Sequence, residues 1–440
     1  MSTSFLSAAA TRDRDVQIIS SPAPPTFLPL PVVDGNTLTY ERFLREFALP
    51  RKPCIIRNVG RTWAARKWTV DYMLEHEGVD KEHKVYMADG PPESARESKR
   101  TVGNALRLVA KTATDVDWNP ALAPGGEERS CYLSAWDYVR GNSGALQDDF
   151  EVPRFFARAP EWLASNVVLG NAQTDMKWLY IGSRGSGSAT HVDTNLSSAW
   201  LWVARGEKEW VCAHGGDYQL LTAGTGARAY GYKGDDDSDD DDGSVPLPDF
   251  FAADLFDRWP QTRGARLYRG VQQAGDVCFN PSRCVHAVRN IGDHAGDIIL
   301  SLTHNFVDAT NLADALADAT RALTDELLPL ARSLKPRSAI KTLAKALKLS
   351  KEDVARVVVE LPSLLTDARV EELIACAAAG AEGDEHSEHR AEELCAGPAA
   401  VAQLLRAELQ RRLQTVRPAF ESAALALRQV LQLDPAPIPP

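Results

Sequence analysis

Along this chain the spacing of apolar positions changes character twice. Between Leu28 and Thr114 short runs of different period alternate. PVVDG reads as a brief strand closed by a turn, LTYERFLREFAL carries apolar side chains at helical spacing, and PCIIRNVG is an apolar, buried strand. TVDYMLEHEG opens on Thr69, an N-cap residue type, and VGNALRLVAKTAT predicts a further helix. Between Cys131 and Asp308 the runs become short, aromatic and β-branched: CYLSAW, KWLYIGS, THVDT, SAWLWVAR, EKEWVCA, RLYRGVQ, DVCFN, HAVRNI and DIILSLTHNF, parted by Gly, Pro, Asn and Asp. Many short strands at this spacing predict an antiparallel sandwich or barrel. From Asn311 onward the period is helical, with Leu and Ala stripes in NLADALADATRALTDELLPLARSL, SAIKTLAKALKLS, EDVARVVVELPSLL, RVEELIACAAAG and a long final segment from Pro398. No internal repeat of fixed period is present.

These changes divide the chain into a polar, Pro-rich tail at 1–26, an N-terminal α/β part at 27–130, a β-rich part at 131–310 and a helical region at 311–440. GDDDSDDDDGS, residues 234–244, interrupts the β-rich part; charge of one sign at that density predicts a solvated loop, and its spacing is not that of a Ca²⁺ loop. AEGDEHSEHRAEE reads as a polar link, so His386 and His389 within it read as solvated residues rather than a metal pair.

Of the 440 residues, 44% are hydrophobic and 25% charged, an ordinary globular balance able to bury a sizeable core. The net charge of -11 argues against a broad nucleic-acid-binding face. No run is long enough to predict a membrane helix, and the first residues lack the charged start and continuous apolar stretch of a secretory signal, a transit peptide being the weaker alternative. Cys54, Cys131, Cys212, Cys278, Cys284, Cys376 and Cys395 form no CxxC pair, which fits reduced thiols in cytoplasm or nucleus better than disulfides or zinc.

Candidate chemistry sits in SATHVDTNLSSAWLWVARGEKEW. If HVD lies on a strand, the side-chain period of two puts His191 and Asp193 on one face. His286, in GDVCFNPSRCVHAVRN, is the candidate third ligand from a later strand. Two imidazoles and one carboxylate suit Fe(II) and leave three adjacent coordination positions open, two for a keto acid and one for O₂. HxD alone is common in ordinary strands, and a lone strand histidine is more often a satisfied core residue. Lys208, on the next strand, adds a cation able to pair with the distal carboxylate of a keto acid; its bland alternative is a solvated edge-strand lysine. The Gly-rich turn GSRGSGS before THVD fits close backbone packing near a site. The Trp- and Tyr-rich stretch at 178–210 reads as barrel core rather than a base-stacking platform.

Taken together, PVV with TYERFLREFALPRKPCIIRN, YLSAWDY followed by FEVPRFF and WL, WLYIGSRGSGSATHVDTNLSSAWLWVARGEKEW, and AGDVCFNPSRCVHAVRN with SLTHNFVDATNL resemble the jumonji-C hydroxylases, in particular the lysyl hydroxylases of a translation-release factor and of splicing factors. The likeness runs over about residues 28–312. It implies a mainly β core, a double-stranded β-helix of cupin-like jelly-roll type, with N-terminal α/β elements and a helical C-terminal region. It implies His191, Asp193 and His286 as iron ligands, and Lys208 on the distal carboxylate of 2-oxoglutarate. Tyr132 and Thr303 fall where hydroxyls assist that carboxylate, and Asn305 falls near the pocket. Two departures stand out: Leu201 replaces a polar Asn of the splicing-factor type, and Arg283 and Cys284 occupy positions before His286 where Trp is usual. These put the pocket shape in question more than the iron. Ser188 and Thr190 receive no role.

The activity so implied is hydroxylation of a lysine side-chain carbon in a translation- or RNA-associated protein, with Fe(II), 2-oxoglutarate and O₂. The alternatives are methyl-lysine or methyl-arginine demethylation by the same chemistry, distinguished by formaldehyde release, and a non-catalytic binding scaffold, distinguished by the absence of 2-oxoglutarate turnover. The partners expected are a protein substrate and no membrane; the C-terminal helices pack on the barrel or form a homodimer face.

Overall fold

The computed structural model describes residues 26–75, 82–88, 96–113, 130–138, 145–156, 176–223, 247–292, 298–346, 350–352, 354, 358, 365–379 and 398–432. The tail up to residue 25, the loop NPALAPGGEE, the acidic run 234–244, the WL pair at 162–163 and the link with His386 and His389 lie outside them.

Fourteen strands are described. In chain order they are β1 (Leu28–Pro29), β2 (Val32–Asp34), β3 (Cys54–Arg57), β4 (Glu82–Ala88), β5 (Arg96–Thr101), β6 (Ser130–Trp136) and β7 (Lys177–Ser183). There follow β8 (Gly187–His191), β9 (Ser198–Arg205), β10 (Glu207–Ala213), β11 (Leu267–Gln272), β12 (Val277–Asn280), β13 (His286–Ile291) and β14 (Ile298–Phe306). They form two sheets. The larger runs β2-β3-β12-β9-β14-β7-β6-β4-β5 and the smaller β1-β11-β10-β13-β8, with all pairings antiparallel except β1–β11 and β2–β3. From β7 to β14 consecutive strands cross between the sheets, except β10 and β11, as in a double-stranded β-helix.

Period-two alternation divides each strand between the sandwich interior and an outer layer. On the larger sheet Leu179, Ile181, Trp200, Trp202, Leu300 and Leu302 point outward into the main apolar core, which the terminal helices cover. Trp200 and Trp202 of the 178–210 stretch are thus core. On the smaller sheet Val211, Ala213, Val285 and Ala287 point outward under Phe250, Leu255 and Trp259 of the 247–265 segment. Between the sheets, Leu30, Ile55, Leu201, Val203, Trp210, Cys212, Tyr268, Cys278, Cys284 and Val288 pack as an apolar plug. The remaining interior positions are polar, and they make the site.

Thr39 and Thr69 cap the two short N-terminal helices by accepting from the backbone N–H of Arg42 and Tyr72, as the Thr-led motif predicts for the second. The segment expected as one helix from Leu312 is interrupted: Leu312–Arg321, a π turn over Ala322–Leu327, then Leu328–Arg332. Pro329 supplies no backbone N–H, so the ladder loosens in the turn before it. Helices Pro336–Ala346, Asp367–Ala379 and Pro398–Leu431 complete the helical region. None of the described helices is long and apolar enough to cross a membrane.

Candidate metal centre and anion site

His191 ends β8 and His286 begins β13, and the two residues are register partners. A shift in register follows between His286 and Val288, the kind of irregularity that re-aims side chains beside sites. The imidazole centroids lie 4.2 Å apart. His191 Nδ1–H donates to the Ala189 carbonyl at 2.7 Å and His286 Nδ1–H to the Cys284 carbonyl at 3.0 Å. A carbonyl only accepts, so each Nδ1 carries the proton and each Nε2 keeps its lone pair for a cation.

Asp193 is not on the strand. It lies two residues beyond the end of β8, at the start of the single 3₁₀ turn Thr194–Leu196. Its backbone is still extended, with φ -62° and ψ 144°, so the alternation continues: Val192 turns outward into the apolar layer and Asp193 inward with His191. Asn195 and Leu196 then take left-handed φ of 56° and 48°, which swings the chain into β9. Ligand atoms of His191, Asp193 and His286 all lie within 4.8 Å of one another. Asn305 donates to Ser197 Oγ at 3.0 Å and favours the charged form of the Asp193 carboxyl. It therefore stands at the carboxylate end of the triad, where it orients Asp193, rather than beside Lys208.

Burial and the neighbouring His286 charge bring the His191 pKa down to about 3, against the opposing pull of the Ala189 carbonyl. Burial opposes charge on His286 as well, but the Asp193 carboxylate and the Cys284 groups outweigh it and carry its pKa up to about 9. Burial raises the Asp193 carboxyl, against the pull of His286 and Asn305. Two histidines and one carboxylate at this spacing hold one positive charge comfortably and resist a second proton. A divalent cation on both Nε2 atoms and the carboxylate fits this donor set.

Lys208, on β10, is 0% exposed. Its ammonium donates to Asn290 Oδ1 at 2.8 Å and lies 5.6 Å from the centre of the Tyr132 ring; among the described residues it meets no carboxylate. Burial lowers its pKa to about 7. Thr303, on β14, is buried with no hydrogen-bond partner for its hydroxyl. Tyr132 is buried beside Ser188, and burial raises its phenol. A buried cation without an anion, an unsatisfied hydroxyl and a phenol lining one sandwich fit a small anionic ligand, whose binding would complete all three.

The sequence reading missed four contributors. Tyr180 faces the interior between outward Leu179 and Ile181; its ring is 5.9 Å from that of Tyr132, and burial, Tyr132 and Asp193 raise its phenol. The alternation in KWLYIGS carries that signal. Ser188, given no role from sequence, lies beside Tyr132; Thr190 accepts from the Phe250 backbone and so pins the covering segment. Asn290 holds Lys208, a contact no local pattern reveals. Leu201, the departure expected to change the pocket, packs in the apolar plug. Arg283, before His286, turns outward to Asp314 at 3.1 Å.

A profile described as a cupin-like domain matches residues 40–310. A bifunctional arginine demethylase and lysyl-hydroxylase, psr-1 of Caenorhabditis elegans, is 30% identical over 181 residues, covering 41% of this chain and 40% of that protein. An arginine-specific demethylase of Arabidopsis thaliana, JMJ22, is 31% identical over 175 residues, covering 40% of this chain and 29% of that protein. The mouse 2-oxoglutarate and iron-dependent oxygenase JMJD4 is 24% identical over 318 residues, 66% of this chain and 64% of its own length. The chain thus spans less than two thirds of each of these relatives. With its two-sheet sandwich and a match over most of residues 28–312, the chain belongs to the cupin-like domain family.

Proposed function

We propose that this chain is an Fe(II)- and 2-oxoglutarate-dependent oxygenase that hydroxylates a lysine side-chain carbon of a translation- or RNA-associated protein. The observation that carries the reading is the pairing of a His191–Asp193–His286 cluster with a buried Lys208 that has no anionic partner among the described residues. A relative named as an iron- and 2-oxoglutarate-dependent oxygenase supports the chemistry, and one named in part as a lysyl-hydroxylase supports the target.

In this reading His191, Asp193 and His286 hold the iron. Bound iron with 2-oxoglutarate and O₂ supplies the oxidising power that inserts oxygen into a C–H bond while the keto acid becomes succinate and CO₂. The protein supplies order. The Ala189 and Cys284 carbonyls fix both imidazole tautomers, and Asn305 orients the Asp193 carboxylate. Lys208 neutralises the distal carboxylate of 2-oxoglutarate, and the Thr303 and Tyr132 hydroxyls donate to it. The apolar plug keeps the other half of the sandwich dry.

A second reading, methyl-arginine or methyl-lysine demethylation, is favoured by the relatives named as arginine demethylases. The two differ in product. Cell-extract proteins incubated with Fe(II), 2-oxoglutarate and the protein should gain one oxygen mass on a lysine peptide, a gain lost with His191→Ala. Loss of a methyl group with formaldehyde release would establish the second reading in place of the first. Absence of 2-oxoglutarate turnover with any extract would leave a binding scaffold.

A further inference from the structure

We propose that Asn290 is the positioning residue of the anion site, a neutral acceptor that aims the Lys208 ammonium at the ligand without cancelling its charge. The inference rests on the oxygenase reading and concerns how the distal carboxylate is selected.

The direction of the Asn290 amide follows from a one-way series of hydrogen bonds. The Ser183 carbonyl can only accept, so the Ser186 hydroxyl donates to it, at 2.6 Å. With that proton committed, Ser186 Oγ is an acceptor, and Asn290 Nδ2 donates to it at 2.9 Å. Asn290 Oδ1 is thereby left facing Lys208 Nζ at 2.8 Å. The backbone is held on both sides: Asn290 N–H donates to the Ser186 carbonyl at 2.7 Å, and Gly185 N–H donates to the Asn290 carbonyl at 2.8 Å. Asn290 is buried, so water cannot substitute for a turned amide. Space is made for the network at Gly182, where a Cβ would collide with Ser186 Oγ and lie 2.5 Å from Tyr132 and 2.8 Å from Asn290 Nδ2. The Gly-rich turn between β7 and β8 is therefore the frame of the anion site as well as the approach to the metal cluster.

The choice of amide over acid has a physical reason. An aspartate of the same shape would accept the same hydrogen bond, but it would form an internal ion pair with Lys208. An incoming carboxylate would then meet a neutral pair. Asn290 fixes the ammonium and leaves its full charge for the ligand.

The test is calorimetric binding to the full chain with Mn(II) in place of iron, under anaerobic conditions, so that no turnover is read. Two ligands are compared: 2-oxoglutarate, and 2-oxopentanoate, which carries a methyl group where the distal carboxylate stands. Asn290→Asp should weaken 2-oxoglutarate about 100-fold and 2-oxopentanoate less than about threefold. Ser186→Ala, which frees the amide to turn, should weaken 2-oxoglutarate about three- to tenfold with 2-oxopentanoate unchanged. This second variant carries the same two-ligand comparison if Asn290→Asp does not fold. Equal losses for both ligands, or 2-oxoglutarate binding by Asn290→Asp within about threefold of the parent, would overturn the assignment. A parent protein that binds neither ligand would overturn the oxygenase reading itself.

Discussion

Lys208 is fully buried, and its ammonium meets one amide oxygen. Burial takes its pKa from 10.5 to about 7, so between those values the unfolded chain holds the extra proton. Ligand-free stability therefore rises as pH climbs from about 7 toward 10.5, and the full penalty is present below about 7. Lys208→Met should relieve most of that penalty at neutral pH, offset by the orphaned Asn290 oxygen, for a net gain of roughly 1–3 kcal/mol in urea unfolding. The same variant should lose the stabilisation that 2-oxoglutarate gives the parent. In the parent, 2-oxoglutarate affinity should fall as pH rises above about 7, because the ligand-free lysine then gives up the charge that the carboxylate needs. Asp193→Ala should weaken Mn(II) binding by at least about 100-fold, measured by calorimetry, since it removes one of the three donors. The donor residues were legible in the sequence because alternation of period two survives at His191 and Asp193. The sequence put Asn305 near the pocket without a partner; its nearness to Asp193 comes from the crossing of β14 and the turn after β8.

At the scale of elements, the site depends on how closely β8 lies against β13. Gly187 is where that closeness is set: a Cβ there would collide with the Val288 carbonyl oxygen. Backbone cannot retreat as a flexible side-chain tip can, so Gly187→Ala should push β8 away and carry His191 with it. We expect a loss of about 1–3 kcal/mol in chemical unfolding together with weaker Mn(II) binding, whereas a surface Gly264→Ala should change neither. The Gly-rich turn pointed to close packing from sequence. Which glycine touches which strand was not legible, because register across β8 and β13 is a property of two segments far apart in the chain. The interruption of the helix after Leu312 was equally hidden behind a good apolar stripe, although Pro329 carried the physical cause in plain view.

At the scale of the molecule, one buried carboxylate ties the parts together. Asp314, at the start of the first C-terminal helix, receives Arg51 at 2.7 Å, Arg283 at 3.1 Å and Arg412 at 3.6 Å, along with the Ser282 hydroxyl at 3.0 Å. Arg51 belongs to the N-terminal part, Ser282 and Arg283 to the loop leading to His286, and Arg412 to the long last helix. Arg412 also donates to the Thr310 and Leu49 carbonyls at 2.6 and 2.9 Å. Asp314→Ala leaves three guanidinium groups without their shared partner and should cost about 3–5 kcal/mol, read by urea unfolding, with weaker Mn(II) binding as the loop before His286 loosens. The alternating strands, the helical C-terminal region and the residue types of the candidate metal cluster were readable from the chain alone, because these follow from local period and side-chain chemistry. Only the folded arrangement gives Lys208 an amide for a neighbour and brings three arginines from distant segments onto Asp314. Those are contacts between segments far apart in sequence, and their energies depend on burial and partner geometry that no local pattern encodes.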